Sequence, residues 1–193
     1  AITVEDNTMG LSVIVGSHMD DLTELAPYQR MPLVYVAKAL FPGKNIIKNP
    51  LGGPIWIKKS LGLKASGTCS LKIEGVYKSP DFVIGETDLQ DWKRRISETT
   101  VPWLEIRGKH FAFTVQKDVL DNLESISSTL QEVGKEWDEA IEEFFFEYYG
   151  LKIDKDAEEK ERAPEFPFRV VLDVQVLGNL YLRNSDYAIV AIN

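Results

Sequence analysis

The sequence predicts an α+β fold with a β-rich, sandwich-like first half, one long amphipathic helix, and a strand that opens a second subdomain. Three observations support this prediction. Short β-branched and aromatic runs, separated by turns that contain Gly and Pro, occupy the first half. Apolar residues then recur at steps of three and four along residues 130–148. Finally, Pro164 and Pro167 precede one more apolar run, residues 168–176.

Each predicted strand of the first half is a run of strand-forming residues that is bounded by turn residues. Leu11–Val15 is predicted as a buried strand that ends at Gly16. Residues 50–54, with two prolines and two glycines, are predicted as a turn. The other predicted strands are residues 32–36, 55–57 and 71–77, and two within residues 101–115 that are broken near Gly108.

Two helices are predicted from capping and periodicity. A short helix begins at Thr87, which has capping-box spacing to Gln90, and it places Trp92 and Ile96 on one face. The long helix is capped by Ser128 with Gln131 and ends at Gly150. Its predicted core-packing stripe is Leu130, Val133, Trp137, Ile141, Phe144, Phe145 and Tyr148. Its predicted solvent face carries Asp138, Glu139, Glu142 and Glu143.

These elements predict two subdomains. Residues 1–116 form a β-rich N-terminal subdomain, and residues 117–193 form the helix and the strand that begin the second one. Within the second, residues 154–165 are strongly charged and lack apolar periodicity, so they are predicted to be a solvated linker.

Composition excludes several classes of function. The chain has 193 residues and a net charge of −8, which argues against a nucleic-acid partner. No apolar run approaches the roughly 18 residues of a membrane-spanning helix, and no signal peptide is recognisable. The single cysteine, Cys69, cannot form an internal disulfide. The basic cluster of Lys58, Lys59 and Lys64 is predicted to be a solvated strand end.

No catalytic residue and no metal ligand is predicted in this chain. A zinc peptidase needs two histidines one helical turn apart, a third ligand and a carboxylate that activates water. Only His18 and His110 are present, and neither lies in a His-Glu-x-x-His motif. Asp20 and Asp21 could bind a metal or form a hydrogen-bonded turn after the first buried strand. The chain also lacks a Gly-x-Ser-x-Gly elbow and a P-loop.

Five residues are predicted as candidates for a substrate cleft, and each also has a structural interpretation. Gly52 and Gly53 would let a ligand approach the backbone, or they form a tight turn. Trp103 and Glu105 would line a cleft, or Trp103 is a core side chain at a strand start. Asp173 interrupts an apolar strand, so it must find either a backbone amide or an active-site partner.

Several blocks, in the same order, resemble the enhancin-type, mucin-degrading zinc metallopeptidase family, which is the sixtieth metallopeptidase family. No single block is specific, but the set extends over nearly the whole chain. The blocks are residues 11–22, Arg30-Met31-Pro32, residues 49–56, residues 79–82 with Gly85, Thr87 and Trp92, Val101-Pro102-Trp103-Leu104-Glu105, and Leu172-Asp173-Val174-Gln175.

The resemblance implies that the parent protein hydrolyses mucin-like glycoproteins with a zinc ion. In that family the His-Glu-x-x-His helix follows the Asp-Val-Gln strand. The chain would then be an N-terminal, non-catalytic part, without a cofactor of its own, and zinc is expected in the complete module. Its partner would be a glycoprotein or protein substrate, outside the cell or at its surface. The family's Gly-Tyr-Pro is replaced by residues 185–188, Ser-Asp-Tyr-Ala.

An alternative function stays open. The residues His18-Met19-Asp20-Asp21-Leu22 equally resemble the peptidase-like module of eukaryotic channel-associated factors. That resemblance implies protein interaction in the cytoplasm without proteolysis. A third hypothesis is a carbohydrate-binding sandwich, which would expose aromatic side chains on one face. The sequence leaves the substrate, the compartment and the oligomeric state open.

Overall fold

The computed structural model describes residues 1–6, 8–19, 31–59, 68–120 and 129–173, and the backbone of residues 181–184 and 187–191. The chain divides into two compact units, Ala1–Lys78 and Ser79–Asn193. Ser128, Lys64, Asp20 and Asp21, to which the sequence assigned possible roles, lie outside the described residues.

The first unit is a sandwich of two antiparallel sheets. Its strands are β1 (Ile2–Val4), β2 (Leu11–Val15), β3 (Val36–Leu40), β4 (Gly43–Asn45), β5 (Ile55–Lys59) and β6 (Leu71–Ile73). One sheet has the order β4-β1-β6 and the other β3-β2-β5. Ile2 and Val4 from the first sheet pack with Val13 and Leu40 from the second, so the core lies between the sheets. The predicted sandwich-like β-rich start is confirmed.

Two strands differ from their predicted bounds. The strand predicted at residues 32–36 is instead β3, Val36–Leu40, which pairs along all of β2. Before β3, Val34 and Tyr35 pass so close to Gly16 that a Cβ added to Gly16 would lie 2.8 Å from the Tyr35 Cα. The strand predicted at 71–77 stops at Ile73, because its partner β1 has only three residues.

The second unit contains a six-stranded mixed sheet with the order β11-β12-β10-β9-β8-β7 among the described residues. The strands are β7 (Phe82–Val83), β8 (Trp103–Arg107), β9 (Phe111–Gln116), β10 (Phe168–Asp173), β11 (Tyr181–Asn184) and β12 (Tyr187–Ala191). Strand β9 pairs antiparallel with β8 and parallel with β10. The pairing of β9 with β10 joins residues on both sides of the predicted subdomain boundary at 116/117, and the compact units of the structure meet at 78/79.

Helix α1 (Leu89–Glu98) covers one face of this sheet. Its N-cap is Asp88, whose carboxylate accepts from the Asp91 N–H at 2.8 Å, rather than the predicted Thr87. Trp92 and Ile96 are buried, as their spacing predicts. The Trp92 indole N–H donates to the Pro80 carbonyl at 2.7 Å. These two side chains pack on a core formed by Phe82, Leu104, Ile106, Val115 and Leu120.

The long helix, α2, begins at Leu130 and consists of an α-helical stretch (Leu130–Ala140), a π-helical turn (Ile141–Phe146) and a last α-helical turn (Glu147–Tyr149). Gly150 ends it in the left-handed conformation, at φ +67°, as predicted. The Gln131 side chain does not cap the helix; it accepts from the Gly85 N–H at 2.9 Å. This bond ties the start of α2 to the turn that precedes α1.

The predicted core-packing stripe of α2 was largely wrong. Trp137 is 45% exposed and Phe144 is 76% exposed, whereas the buried positions are Gly134, Asp138 and Phe146. Gly134 lies directly against the Ile84 side chain, and its lack of a Cβ allows that close approach. The buried side of the helix therefore combines Gly134 and Asp138 with one aromatic residue, Phe146, and most of its other bulky residues are exposed.

The charged segment predicted as a linker at residues 154–165 closes on itself. The Lys152 N–H donates to the Glu161 carbonyl at 2.6 Å, and the Ala163 N–H donates to the Lys152 carbonyl at 2.8 Å. The Lys152 ammonium adds an ion pair to the Glu161 carboxylate at 2.7 Å. The segment is thus a loop within the second unit, and it returns the chain from α2 to β10.

Candidate functional site

The two faces of the six-stranded sheet differ in chemistry. Side chains alternate along a strand, so Leu104, Ile106 and Val115 face the helices. The opposite face carries a row of polar and aromatic residues on three adjacent strands: Trp103 and Glu105 on β8, Thr114 on β9, and Arg169 and Asp173 on β10. We call this row the polar row. It contains three of the five residues that the sequence predicted as cleft candidates.

Glu105 is the centre of the polar row. Its carboxylate accepts a hydrogen bond from the Thr114 hydroxyl at 3.0 Å, and Arg169 Nε lies 3.7 Å from the same oxygen. Arg169 Nε also donates to the Thr114 hydroxyl at 2.9 Å. Thr114 is completely buried, and the side chains of Glu105 and Arg169 are only 15% and 13% exposed. Glu105, Thr114 and Arg169 therefore form a connected and largely buried polar network within the row.

A second carboxylate supports β8 from its edge. Asp81 accepts from the Glu105 backbone N–H at 3.0 Å and from the Ser79 hydroxyl. The Ser79 hydroxyl also lies 3.3 Å from the Trp103 carbonyl oxygen. These bonds hold the β8 backbone at Trp103 and Glu105, so the positions of both side chains are set by the segment that leads into β7.

Burial raises the pKa of the Glu105 carboxyl above its usual value, because the charged form loses water. The positive charge of Arg169 and the Thr114 hydrogen bond act in the opposite direction. The carboxyl is thus held in a position where it keeps its proton to higher pH than an exposed glutamate.

This shift predicts how stability depends on pH. A raised pKa means that the folded state binds the proton of Glu105 more tightly than the unfolded state does. Protonation of Glu105 therefore stabilises the fold fully below the pKa of the unfolded state, near 4.5, and this stabilisation is lost as pH rises through the pKa of the folded state. Glu105→Gln cannot ionise. We expect this variant to gain free energy of unfolding relative to the native chain as pH increases, measured by urea denaturation across the acid range.

Asp91→Asn is the matched control for this prediction. Hydrogen bonds from Arg94 and Arg95 lower the pKa of the exposed Asp91 carboxyl. The native chain should therefore gain stability over Asp91→Asn as pH rises, which is the opposite sign. A pH-independent difference for Glu105→Gln would contradict the burial argument.

The other predicted candidates lie in different surroundings. Asp173 is completely buried at the end of β10, with the same side-chain alternation as Arg169. Trp103 is half-buried at the start of β8. Gly52 and Gly53 belong to the first unit, where they lie in the loop before β5. The structure thus brings Trp103, Glu105 and Asp173 onto one sheet face.

The loop that contains Gly52 and Gly53 is tightly bonded. The Asn49 side-chain amide donates to the carbonyls of Val15 and Gly52, both at 2.9 Å. Gly53 has φ +113°, and a Cβ there would lie 2.6 Å from the Gly16 Cα. Only glycine satisfies both constraints. These contacts favour the tight-turn interpretation for Gly53, because its missing side chain makes room for Gly16.

A second cluster, which sequence reasoning missed, joins the β8–β9 turn to α2. The Asp138 carboxylate accepts the backbone N–H groups of Lys109 and His110 at 2.9 and 2.8 Å. His110 Nε2 lies 2.6 Å from a Glu142 carboxylate oxygen, and its ring packs edge-on against Phe146 at 5.0 Å. Both acids were predicted on the solvent face. The four-residue spacing of Gly134, Asp138, Glu142 and Phe146 was the available signal.

The described residues do not form a zinc site. Among them, no three His, Cys, Asp or Glu side chains are grouped so that they could hold a metal ion. His110 is engaged with Glu142, and His18, buried in the first unit, has its Nδ1 at 2.8 Å from the Ser17 hydroxyl. Asp138 is used by two backbone amides.

The family of the chain follows from sequence comparison. A family model described as "Peptidase M60, enhancin and enhancin-like" matches residues 75–184. The chain belongs to the M60 peptidase family. A model of the N-terminal domain of M60-like peptidases matches residues 1–74. These two M60 segments meet close to the division between the compact units at 78/79.

Relatives of two kinds share this M60 architecture. TRPM8 channel-associated factor 1 from Homo sapiens is 30% identical over 169 residues, which cover 86% of this chain and 16% of that protein. The catalytic module of the metalloprotease ZmpA from Clostridium perfringens superposes with a TM-score of 0.70 at 15% identity, over 98% of this chain and 40% of that one. The M60 catalytic domain of Clostridium perfringens ZmpC, in complex with the sialyl T antigen, gives a TM-score of 0.66 at 15% identity, with the same coverage.

These comparisons confirm the resemblance that the residue blocks suggested. The match to M60 catalytic modules at low identity shows the shared fold. The chain spans about a sixth of the length of the channel-associated factor, 16%. Within the described residues, no helix is long and apolar enough to cross a membrane.

Proposed function

We propose that this chain is the N-terminal, non-catalytic part of a zinc metallopeptidase module whose parent protein hydrolyses mucin-like glycoproteins. The observation that carries this proposal is the polar row. It lies on the sheet face opposite the two helices, and it brings Asp173 of β10 onto the same face as Trp103 and Glu105 of β8, which lie in a distant part of the sequence. In this proposal the row supports one wall of the cleft, while the zinc ligands and the residue that activates water lie outside these 193 residues.

Two comparisons support the peptidase function. The chain has the fold of M60 catalytic modules over 98% of its length. One of those modules has been solved with the sialyl T antigen, a glycan. The buried Glu105–Thr114–Arg169 network would serve such a cleft by keeping the sheet rigid under the substrate, since a site must be held to a fraction of an ångström. Trp103, which is half-buried on the same face, would supply an apolar surface.

A second candidate function is a protein-interaction module of the channel-associated-factor type, without proteolysis. The observation in its favour is sequence identity. The chain is 30% identical to human TRPM8 channel-associated factor 1 and 15% identical to the ZmpA catalytic module. Here the same sheet and helices would present binding surfaces rather than one side of a catalytic cleft.

The full-length parent protein separates the two functions. Under the peptidase proposal, it contains about one tightly bound zinc and cleaves a mucin-type glycoprotein, with cleavage abolished by a chelator and restored by zinc. Elemental analysis and gel assays on a panel of O-glycosylated and deglycosylated substrates are the measurements. A folded parent that cleaves none of them would instead favour the interaction module.

Variants of the parent would test the cleft residues. If Trp103 and Asp173 support the cleft, Trp103→Ala and Asp173→Asn should lower kcat/KM while the melting temperature changes little. A loss of activity that only parallels a loss of stability would assign both residues to the core. Lys93→Ala, at an α1 position on the other side of the sheet, is the control that should leave both quantities unchanged.

A further inference from the structure

The exposed flank of α2 carries a stripe of aromatic side chains. Phe144, Tyr148 and Tyr149 are 76%, 79% and 64% exposed, and Phe145 and Trp137 are 41% and 45% exposed. We call these five residues the aromatic stripe. Within it, the rings of Phe145 and Tyr148 both contact the ring of Tyr149, at centroid distances of 5.0 and 5.1 Å. Exposed aromatic surface of this kind is typical of protein interfaces.

The stripe is anchored from beneath and is therefore preorganised. Phe145 contacts Phe168 of β10 at 5.4 Å, and Trp137 contacts Phe113 of β9 edge-on at 5.3 Å. The buried Asp138 fixes α2 to the β8–β9 turn. These contacts restrict the motion of α2 beneath its exposed side chains, which lowers the entropy cost of binding a partner.

Acidic residues border the stripe along the same helix. Glu136, Glu139, Glu143 and Glu147 are all exposed. Over residues 130–149 the helix has seven acidic residues and one basic residue, Lys135. The surface is thus apolar and aromatic, with negative charge along its border. A complementary partner surface is apolar, with positive charge along its border.

We propose that the aromatic stripe is a docking site for a basic amphipathic protein segment, with aliphatic or aromatic side chains on one face and Lys or Arg beside them. Charge argues against the other occupants. Nucleic acids and anionic lipid surfaces would be repelled by the glutamates. A second copy would bring its own acidic helix into the interface, where like charges disfavour association. The inference does not require that the parent protein is a peptidase.

The test uses the 193-residue chain and two synthetic helical peptides with the same apolar face. One peptide carries Lys and Arg beside that face, and the other carries Glu at the same positions. Fluorescence anisotropy should show binding of the basic peptide only, with an affinity that falls as salt is added. The double variant Phe144→Ser/Tyr148→Ser should weaken binding about tenfold or more, since exposed aromatics of this kind act as anchors.

Charge reversal supplies the matched control. Glu143→Lys/Glu147→Lys should weaken binding by about tenfold. Glu74→Lys/Glu98→Lys makes the same change in net charge on other elements and should leave binding unchanged. All four substituted residues are solvent-exposed, and circular dichroism melts confirm that each variant is folded.

Four results would overturn the proposal. The acidic peptide could bind as well as the basic one, or the reversal at Glu143 and Glu147 could have no more effect than its control. Concentration-dependent self-association that is lost in the Phe144→Ser/Tyr148→Ser variant would identify a second copy as the occupant. Amides 144–149 that are already protected from hydrogen exchange in the full-length parent, and unaffected by the basic peptide, would show that the parent covers its own stripe.

Discussion

Replacing Asp138 with alanine should lower the free energy of unfolding by about 2–4 kcal/mol, because two backbone amides would lose a charged acceptor inside the protein. Its carboxylate accepts from the N–H groups of Lys109 and His110, and the residue is 9% exposed. The effect should appear in urea denaturation as a lower midpoint with an unchanged slope.

The control for this prediction is the neighbouring residue. Glu139 is exposed, so Glu139→Ala should change stability by less than about 0.5 kcal/mol. Asp138→Asn retains one carbonyl oxygen, so its loss of free energy of unfolding should lie between those of Asp138→Ala and Glu139→Ala. Equal effects of the alanine variants at 138 and 139 would mean that Asp138 faces water, as helical periodicity alone predicts.

Trp92→Ala should cost about 3–5 kcal/mol, which is the usual range for removing a fully buried aromatic side chain. Trp92 is 0% exposed, packs edge-on against Phe82 at 4.9 Å and donates to the Pro80 carbonyl. The substitution would leave both a large cavity and an unpaired carbonyl. Thermal denaturation followed by circular dichroism is the measurement.

Trp137→Ala is the companion variant, and its expected cost is only about 1–2 kcal/mol. Sequence periodicity placed Trp137 in the core, but its side chain is 45% exposed, and its ring contacts those of Phe111 and Phe113. A larger loss at Trp137 than at Trp92 would reverse the structural assignment of the two tryptophans.

The polar row could be predicted only in part. Asp173 was selected because it interrupts an apolar strand, and Trp103 and Glu105 were selected because they could line a cleft; the structure places all three on one sheet face. Thr114 and Arg169 were not selected, because a threonine and an arginine in a strand carry no local signal. Their importance arises from the pairing of β9 with both β8 and β10. The pairing with β10 joins distant parts of the chain: the Arg169–Thr114 bond spans 55 residues.

The sequence by itself determined the family, the α+β class, the strands at 11–15, 55–57 and within 101–115, the two helices, and the glycine that ends the second helix. These features depend on local chemistry: alternation, periodicity, turn residues and the left-handed φ of Gly150. Only the tertiary structure decided which side of α2 is buried. Periodicity shows that a helix has an apolar side, but it does not show what lies against it. Here Ile84 lies against Gly134 and the β8–β9 turn binds Asp138, because a glycine permits close approach and the amides of the turn require an acceptor. Of the aromatic side chains of α2, Phe146 is buried and the others are exposed.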